Sequence, residues 1–456
     1  MQAGPQPTTA ADGSVLPSVE TGIPDGRSAM AAVLATAAWT AMGLVLWVLF
    51  PMTGAVLLPM CCIAPVGWYW AQRRRFTWYR VSALTLALVL AASYLLVNAS
   101  WSLSVGTAAR TVVLLFLLAG TLHVVLNTLP DLEEPPLRAM AIGALVGLGV
   151  AGSILCVEIF SDQSLRRFLM HLIPALQPSP NHIEMAAGHL ARLAAYLPNA
   201  SISVLTLMFW PAALLVDRLG TGLGTARQLR RLAPIAAVVV ATTVFASEHG
   251  TSQVAFVGAG VAFALARLRP KLVMPVVIAG WTAAILLVAP VVSLLYSAGA
   301  QRAAWLPESA RERVVIWRYT AEQIPQAPIL GAGIGTARAL YEAREANAPV
   351  APGTHFRLTT SLHSHNAYLQ VWYEAGAVGA AIVLLLGWVI LWALRKYPSS
   401  VQPYLLATFV ACALLVATAY SIWAPWYMAA LAMAAVFASL GAALPEPRAD
   451  RTPTVR

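Results

Sequence analysis

Two histidines, His363 and His365, flank a serine just before a long apolar run that opens near residue 366. A neutral imidazole can take a proton from a hydroxyl near neutral pH, so either ring is a candidate general base. His365 or Asn366 falls near the N-terminus of the helix expected there. The positive dipole end at that point lowers an imidazole pKa and favours the neutral form. Metal ligation is a competing reading, although no Asp or Cys lies close by in sequence. A structural pair that caps the helix and bonds backbone is another. Arginines offer the complementary chemistry. Arg192 stands ahead of Pro198 and Asn199, and Arg313 stands ahead of Trp317. A guanidinium suits a pyrophosphate, because its planar fork donates paired hydrogen bonds and keeps its charge. A pyrophosphate held this way can leave without a metal.

The elements around these residues follow from periodicity. Ala310, Val314, Trp317, Ala321 and Ile324 recur at helical spacing and predict an amphipathic helix over Glu308–Ile324, with Arg311, Arg318 and Glu322 on another face. A glycine-rich turn follows at Pro328–Gly335. It comes after a helix and not a strand, so it is no dinucleotide fingerprint. It is either a tight connection or a set of exposed amides for a phosphate. Residues Asn181–Asn199 are expected to form a helix that aligns His182, Met185, His189, Arg192 and Tyr196 on one face and lies at a membrane surface.

These segments sit in a chain built for lipid. Of 456 residues, 59% are hydrophobic and 11% charged, with a mean hydropathy of +0.71. A soluble protein carries roughly 25% charged residues. The net charge of +10 does not mark a nucleic-acid binder, because the arginines lie between apolar stretches and form no single patch. Cys61, Cys62, Cys156 and Cys412 lie in or beside apolar stretches and read as small buried hydrophobes.

Spanning a bilayer takes about 20 apolar residues. The chain is read as an all-α integral membrane protein with about twelve spans, near 30–50, 53–72, 81–98, 107–128, 138–160, 199–217, 232–247, 250–267, 272–296, 366–394, 403–420 and 424–444. The seventh and eighth meet in a hairpin at Ser247, Glu248, His249 and Gly250. Basic clusters at Arg73, Arg74, Arg75 and Arg80, at Arg218, Arg227, Arg230 and Arg231, at Arg267, Arg269 and Lys271, and at Arg395 and Lys396 fall on one side if both termini are cytoplasmic. The tails, 1–29 (read as disordered) and 445–456, are then cytoplasmic. The long segments 161–198 and 297–365 are then periplasmic and carry the chemistry. The blocks 30–160, 199–296 and 366–444 form the membrane part.

The pattern resembles the O-antigen ligase and polymerase superfamily, the Wzy_C-type membrane glycosyltransferases, in its ligase (WaaL-type) branch. Arg192 followed by Pro198 and Asn199 is similar to the family's arginine and Pro-Asn before a span. Arg313 to Trp317 and Pro328 to Gly335 resemble its R-x-x-x-W and P-x-x-G-x-G-x-G. His363 to Gln370 and Glu374 to Gly379 resemble its H-x-H-N-x-x-L-Q and E-x-G-x-x-G. The likeness covers about 190–380, and the first five spans match only in hydropathy. Where the family has a Ser-Arg-Gly-like step, this chain has Ser247 to Gln253 with no arginine, so either His249 and Gln253 or another arginine takes that place.

The resemblance implies a glycosyltransferase-C-like fold with no cofactor and no metal. The donor would be an undecaprenyl-pyrophosphate-linked glycan, the acceptor a hydroxyl of lipid A-core, and the setting the lipid bilayer of the bacterial inner membrane. It implies His363 or His365 as base and Arg192, Arg313, Arg311 and His249 on the donor pyrophosphate, with Asn199, Trp317, Asn366 and Gln370 supporting. O-antigen polymerases and protein O-oligosaccharyltransferases share the signatures. A lipid-linked glycan transporter is the rival of another class; it would need charge buried mid-span, whereas here charge lies mostly at span ends and in loops.

Overall fold

The computed structural model describes residues 26–73, 80–174, 182–186, 189–219, 223–344 and 347–446. Residues 1–25 and 447–456 of the expected tails, and Arg74 and Arg75, lie outside the described residues. The first five helices are α1 (Gly26–Leu49), α2 (Gly54–Arg73), α3 (Ala83–Asn98), α4 (Val105–Thr128) and α5 (Glu134–Phe160). A short helix α6 (Ser164–Leu172) and strands β1 (Ile183–Ala186) and β2 (His189–Leu193) precede α7 (Asn199–Leu219), α8 (Leu223–Ala246) and α9 (Gly250–Leu268). Then come α10 (Pro270–Leu286), α11 (Val288–Ser297), α12 (Glu308–Gln323), α13 (Thr336–Arg344), α14 (Ala367–Leu394), α15 (Gln402–Thr418) and α16 (Pro425–Ala443).

The chain is an integral membrane protein. Among the described residues nine helices are long and apolar enough to cross a bilayer, and α10 with α11 makes a tenth if that pair is one span. Two of the twelve expected spans are shorter: the apolar part of α8, Arg231–Ala246, and α15. The expected span at 272–296 is broken, its two helices meeting at 69°. Pro290 accounts for the break. Its ring has no N–H to donate and clashes with the carbonyl four residues back, at Leu286, where α10 stops.

Burial is uneven and locates the core. The apolar windows of α7 and α16 are 72% buried, against 33% for α1, α2, α3 and α9. The outer helices expose large apolar side chains such as Leu34, Val113, Leu117 and Leu294, which is stable only where lipid is the solvent. Central α7 buries polar Ser201, Ser203 and Thr206 as well.

One correction concerns the segment before α7. The helix expected over Asn181–Asn199 is an antiparallel hairpin, in which Ile183 faces Leu193 and Glu184 faces Arg192. Gly188 falls mid-segment and penalises a helix, while cross-strand pairing of Glu184 with Arg192 places opposite charges face to face. His182 and Tyr196 still meet, but across the hairpin base, by a hydrogen bond.

The site end is held by a knot between the glycine-rich turn and α14. Gly376 interrupts α14 with φ 64 and ψ −165. The freed backbone pairs with the turn: Ala332 donates to the Tyr373 carbonyl and Gly333 to the Glu374 carbonyl, both at 2.9 Å. Ala377 in turn donates to the Pro328 carbonyl at 2.9 Å. Side chains at the end of α3 close the knot. Tyr94 donates to the carbonyls of Leu330 at 2.9 Å and Ala375 at 2.7 Å. Asn98 donates to Leu330 and Glu374 and accepts from the Ile334 amide.

Candidate active site

His363 and His365 lie immediately before α14, on backbone that Ser364 and Asn366 fix. Asn366 is the N-cap, its side chain accepting from the Leu369 amide at 3.0 Å. Ser364 donates to the Asn366 carbonyl at 2.9 Å. His365 takes a left-handed conformation, φ 51, and its Nδ1 sits 2.8 Å from the Ala419 carbonyl. A carbonyl only accepts, so Nδ1 carries the proton and Nε2 keeps its lone pair. The ring of His363 lies 4.1 Å away, centroid to centroid, and its Nε2 is buried with no hydrogen-bond partner among the described residues.

Both imidazoles are neutral at pH 7, although not chiefly through the helix dipole. Burial does most of the work, pushing His363 down to about 3, with His365, Arg338 and Arg313 adding repulsion. His365 falls to about 4, through burial and then Arg313, against the Ala419 carbonyl.

Arg313 on α12 is the charge these rings share. Its field also reaches His249, which burial and Arg313 push down to about 4. Arg313 has no carboxylate within ion-pair distance among the described residues. Burial lowers its own pKa, while Tyr420 and Glu312 oppose that; a guanidinium remains charged regardless. His249, in the α8–α9 turn, is buried, with Nδ1 at 2.7 Å from Ser252 Oγ and 3.4 Å from Ser203 Oγ. Its ring lies 5.8 Å from that of Tyr420. Tyr420 bonds Ser203, and burial pushes its hydroxyl up to about 12, so it stays a donor.

Supporting residues have definite places. Ser203 donates to the carbonyl of Asn199, which opens α7 and leaves its Oδ1 buried without a partner. Trp317 packs against the main core with its Nε1 unpaired. Gln370 donates to Glu374 at 3.1 Å and to Ser421 at 3.0 Å, and accepts from the Ile422 amide at 3.3 Å. It thereby ties the turn carrying Ala419 and Tyr420 to α14. Fully buried Glu374 accepts also from Trp423 and from the Ala337 amide.

Two expected members stand apart. Arg192 lies on β2, 64% exposed and 4.0 Å from Asp162. Arg311 precedes Arg313 by two positions, which puts it on another side of α12, and its Nε is buried unpaired. No hydrogen bond or ion pair joins either to Arg313 or the histidines among the described residues. The glycine-rich turn is the tight connection of the two readings, because its amides from Gly331 to Ile334 are already spent on protein acceptors. Tyr420, Ser203, Ser252 and Arg338 belong to the cluster without any local motif that points to them. Among the described residues no three His, Cys, Asp or Glu side chains gather as a metal would require.

The fold and this cluster define a multi-pass membrane protein with two neighbouring neutral imidazoles and a guanidinium that has no carboxylate partner among the described residues. Residues 235–384 match the Wzy_C family model, described as O-Antigen ligase, and the chain carries that domain of membrane glycosyltransferases. The match spans His249, Arg313, His363 and His365 and leaves out Arg192, Asn199 and Tyr420. No curated protein matches the chain. The family implies a lipid-linked glycan as substrate.

Proposed function

We propose that this protein transfers a glycan from undecaprenyl pyrophosphate to a sugar hydroxyl of lipid A-core at the periplasmic face of the inner membrane, with no metal. In this reading all twelve apolar segments cross or enter the bilayer, both termini are cytoplasmic, and the site end faces the periplasm. The observation that carries the reading is Arg313, half-buried and without a carboxylate partner among the described residues, whose charge acts on His365, a ring with Nδ1 committed to the Ala419 carbonyl.

The acceptor hydroxyl gives its proton to His365 Nε2 as its oxygen bonds to the anomeric carbon. The bond from that carbon to the phosphate oxygen breaks, and its electron pair leaves with undecaprenyl pyrophosphate. Arg313, with the Tyr420 hydroxyl and His249, stabilises the charge that develops there. Attack opposite the leaving group inverts the anomeric centre. The pyrophosphate also offsets the Arg313 charge that depresses His365, so donor binding raises the base toward neutral pH, where it works best.

The reading is tested by mixing purified protein with an undecaprenyl-pyrophosphate glycan and lipid A-core, and determining the new linkage by NMR. An inverted glycosidic bond on lipid A-core is expected. Chain growth on the donor, or sugar on a protein instead, would replace the acceptor in this scheme by that of a polymerase or a protein O-oligosaccharyltransferase.

A further inference from the structure

A cavity of about 540 Å³ opens on α12, the helix that carries Arg313, and is walled also by α13 and the segment 355–361. Glu308 and Glu312 present carboxylates from α12, Tyr341 comes from α13, and His355, Phe356 and Arg357 close the far wall. Glu308 and His355 are joined at 2.7 Å. The cavity is linked to the transfer machinery through the chain and through charge, since Arg313 acts electrostatically on Glu312. Glu312 is the neighbour of Arg313, and Ser361, also on the wall, lies two positions before His363.

The chemistry of this wall selects its occupant. Carboxylates accept two hydrogen bonds side by side, which matches adjacent hydroxyls on a ring. Arg357, which gives one N–H to the Ala348 carbonyl, and the Ser361 hydroxyl carry donor groups on the same wall. Two carboxylates on the wall repel a phosphate, and the described side chains do not converge as metal ligands. Glu312 is held above the ordinary carboxylate range by burial first, with Glu308 adding to it and Arg313 and His355 opposing it.

We propose that this cavity is a saccharide subsite that holds an uncharged, polyhydroxylated sugar of one of the two chains being joined. As the place where a reacting glycan is gripped, it rests on the glycosyl-transfer reading. The sugar comes either from the acceptor or from the donor glycan, and kinetics separate the two.

The full-length protein in detergent is titrated with a lipid-free neutral oligosaccharide and, separately, with its phosphorylated counterpart, using saturation-transfer NMR. The neutral sugar shows transfer, and the phosphorylated one binds more weakly. Glu312→Gln weakens the neutral sugar by about 10-fold or more, the loss of one hydrogen bond to a charged acceptor. Glu308→Gln does the same, and because Glu308 is 66% exposed its replacement does not threaten folding. In turnover assays, a raised KM for lipid A-core in both variants identifies the acceptor as the source, and a raised KM for the donor identifies the donor glycan. Absence of saturation transfer to wild type, or unchanged affinity and unchanged KM values in both variants, overturns the subsite. Loss of sugar binding in the variants, with no glycan transfer by wild type, leaves the subsite standing and removes the ligase reading instead.

Discussion

His365 donates its Nδ1 proton to the Ala419 carbonyl, and this one contact sets what the ring can do. With Nε2 free, His365→Ala is expected to lower kcat by about 10²–10⁴-fold with little change in donor KM. In the proposed mechanism the neutral form is the active one, and the pH profile follows from it. In the free protein the ring titrates at about 4, held down by burial and by Arg313. Activity is therefore full above that pKa and lost as pH falls through it, and with saturating donor the acidic limb of kcat moves up, because pyrophosphate offsets the arginine. Arg313→Gln removes the repulsion without supplying an anion. It is expected to raise the acidic limb of kcat/KM and to weaken donor binding, which pH–rate curves of the purified variant would show. Arg313→Lys should fail to restore binding fully, since a point charge lacks the paired donors of a guanidinium. His363, His365 and Arg313 stand out as candidates in the sequence, because their types and spacing suggest a base and an anion holder. Tyr420, Ser203 and Arg338 do not, since each reaches the cluster from a different helix or turn and no local pattern carries that information.

At the scale of elements, the site depends on the knot between the glycine-rich turn and the break in α14. A Cβ on Gly376 would run into the carbonyl of Ile329, and the residue's positive φ disfavours any L side chain. Gly376→Ala is expected to lose more than about 1–3 kcal/mol of stability, seen as a lower melting temperature in detergent. Gly331→Ala should behave alike, since its Cβ would meet the backbone of Glu374. The amphipathic helix over Glu308–Ile324 was readable from spacing to within a residue, as α12 spans Glu308–Gln323. The hairpin before α7 was not. A run of small and mixed residues supports a helical face on paper, and only the pairing of Ile183–Ala186 with His189–Leu193 decides for strands. The break at Leu286 was also hidden, because hydropathy is blind to a proline that leaves a segment apolar but no longer straight.

Across the whole molecule, hydropathy made the membrane class plain, because outer helices that show Leu and Val to their surroundings need lipid. Span number was less legible: the apolar part of α8 and α15 lie below the usual length, and length along the chain does not say whether a short helix crosses. The proposed orientation predicts that Trp305→Cys, at a position 82% exposed, reacts with a membrane-impermeant thiol reagent in cells with a permeabilised outer membrane. Exposed Arg269, replaced by Cys, should react only after the inner membrane is opened. The activity of the assembled protein is tested most directly by glycan transfer from undecaprenyl pyrophosphate to lipid A-core in EDTA, comparing wild type with His365→Ala and His363→Ala. Transfer by wild type that survives EDTA and falls by about 10²–10⁴-fold in His365→Ala, with a smaller loss in His363→Ala, is the predicted result. Turnover that stops in EDTA, or that is unchanged in both variants, would contradict a metal-independent transfer with a histidine base.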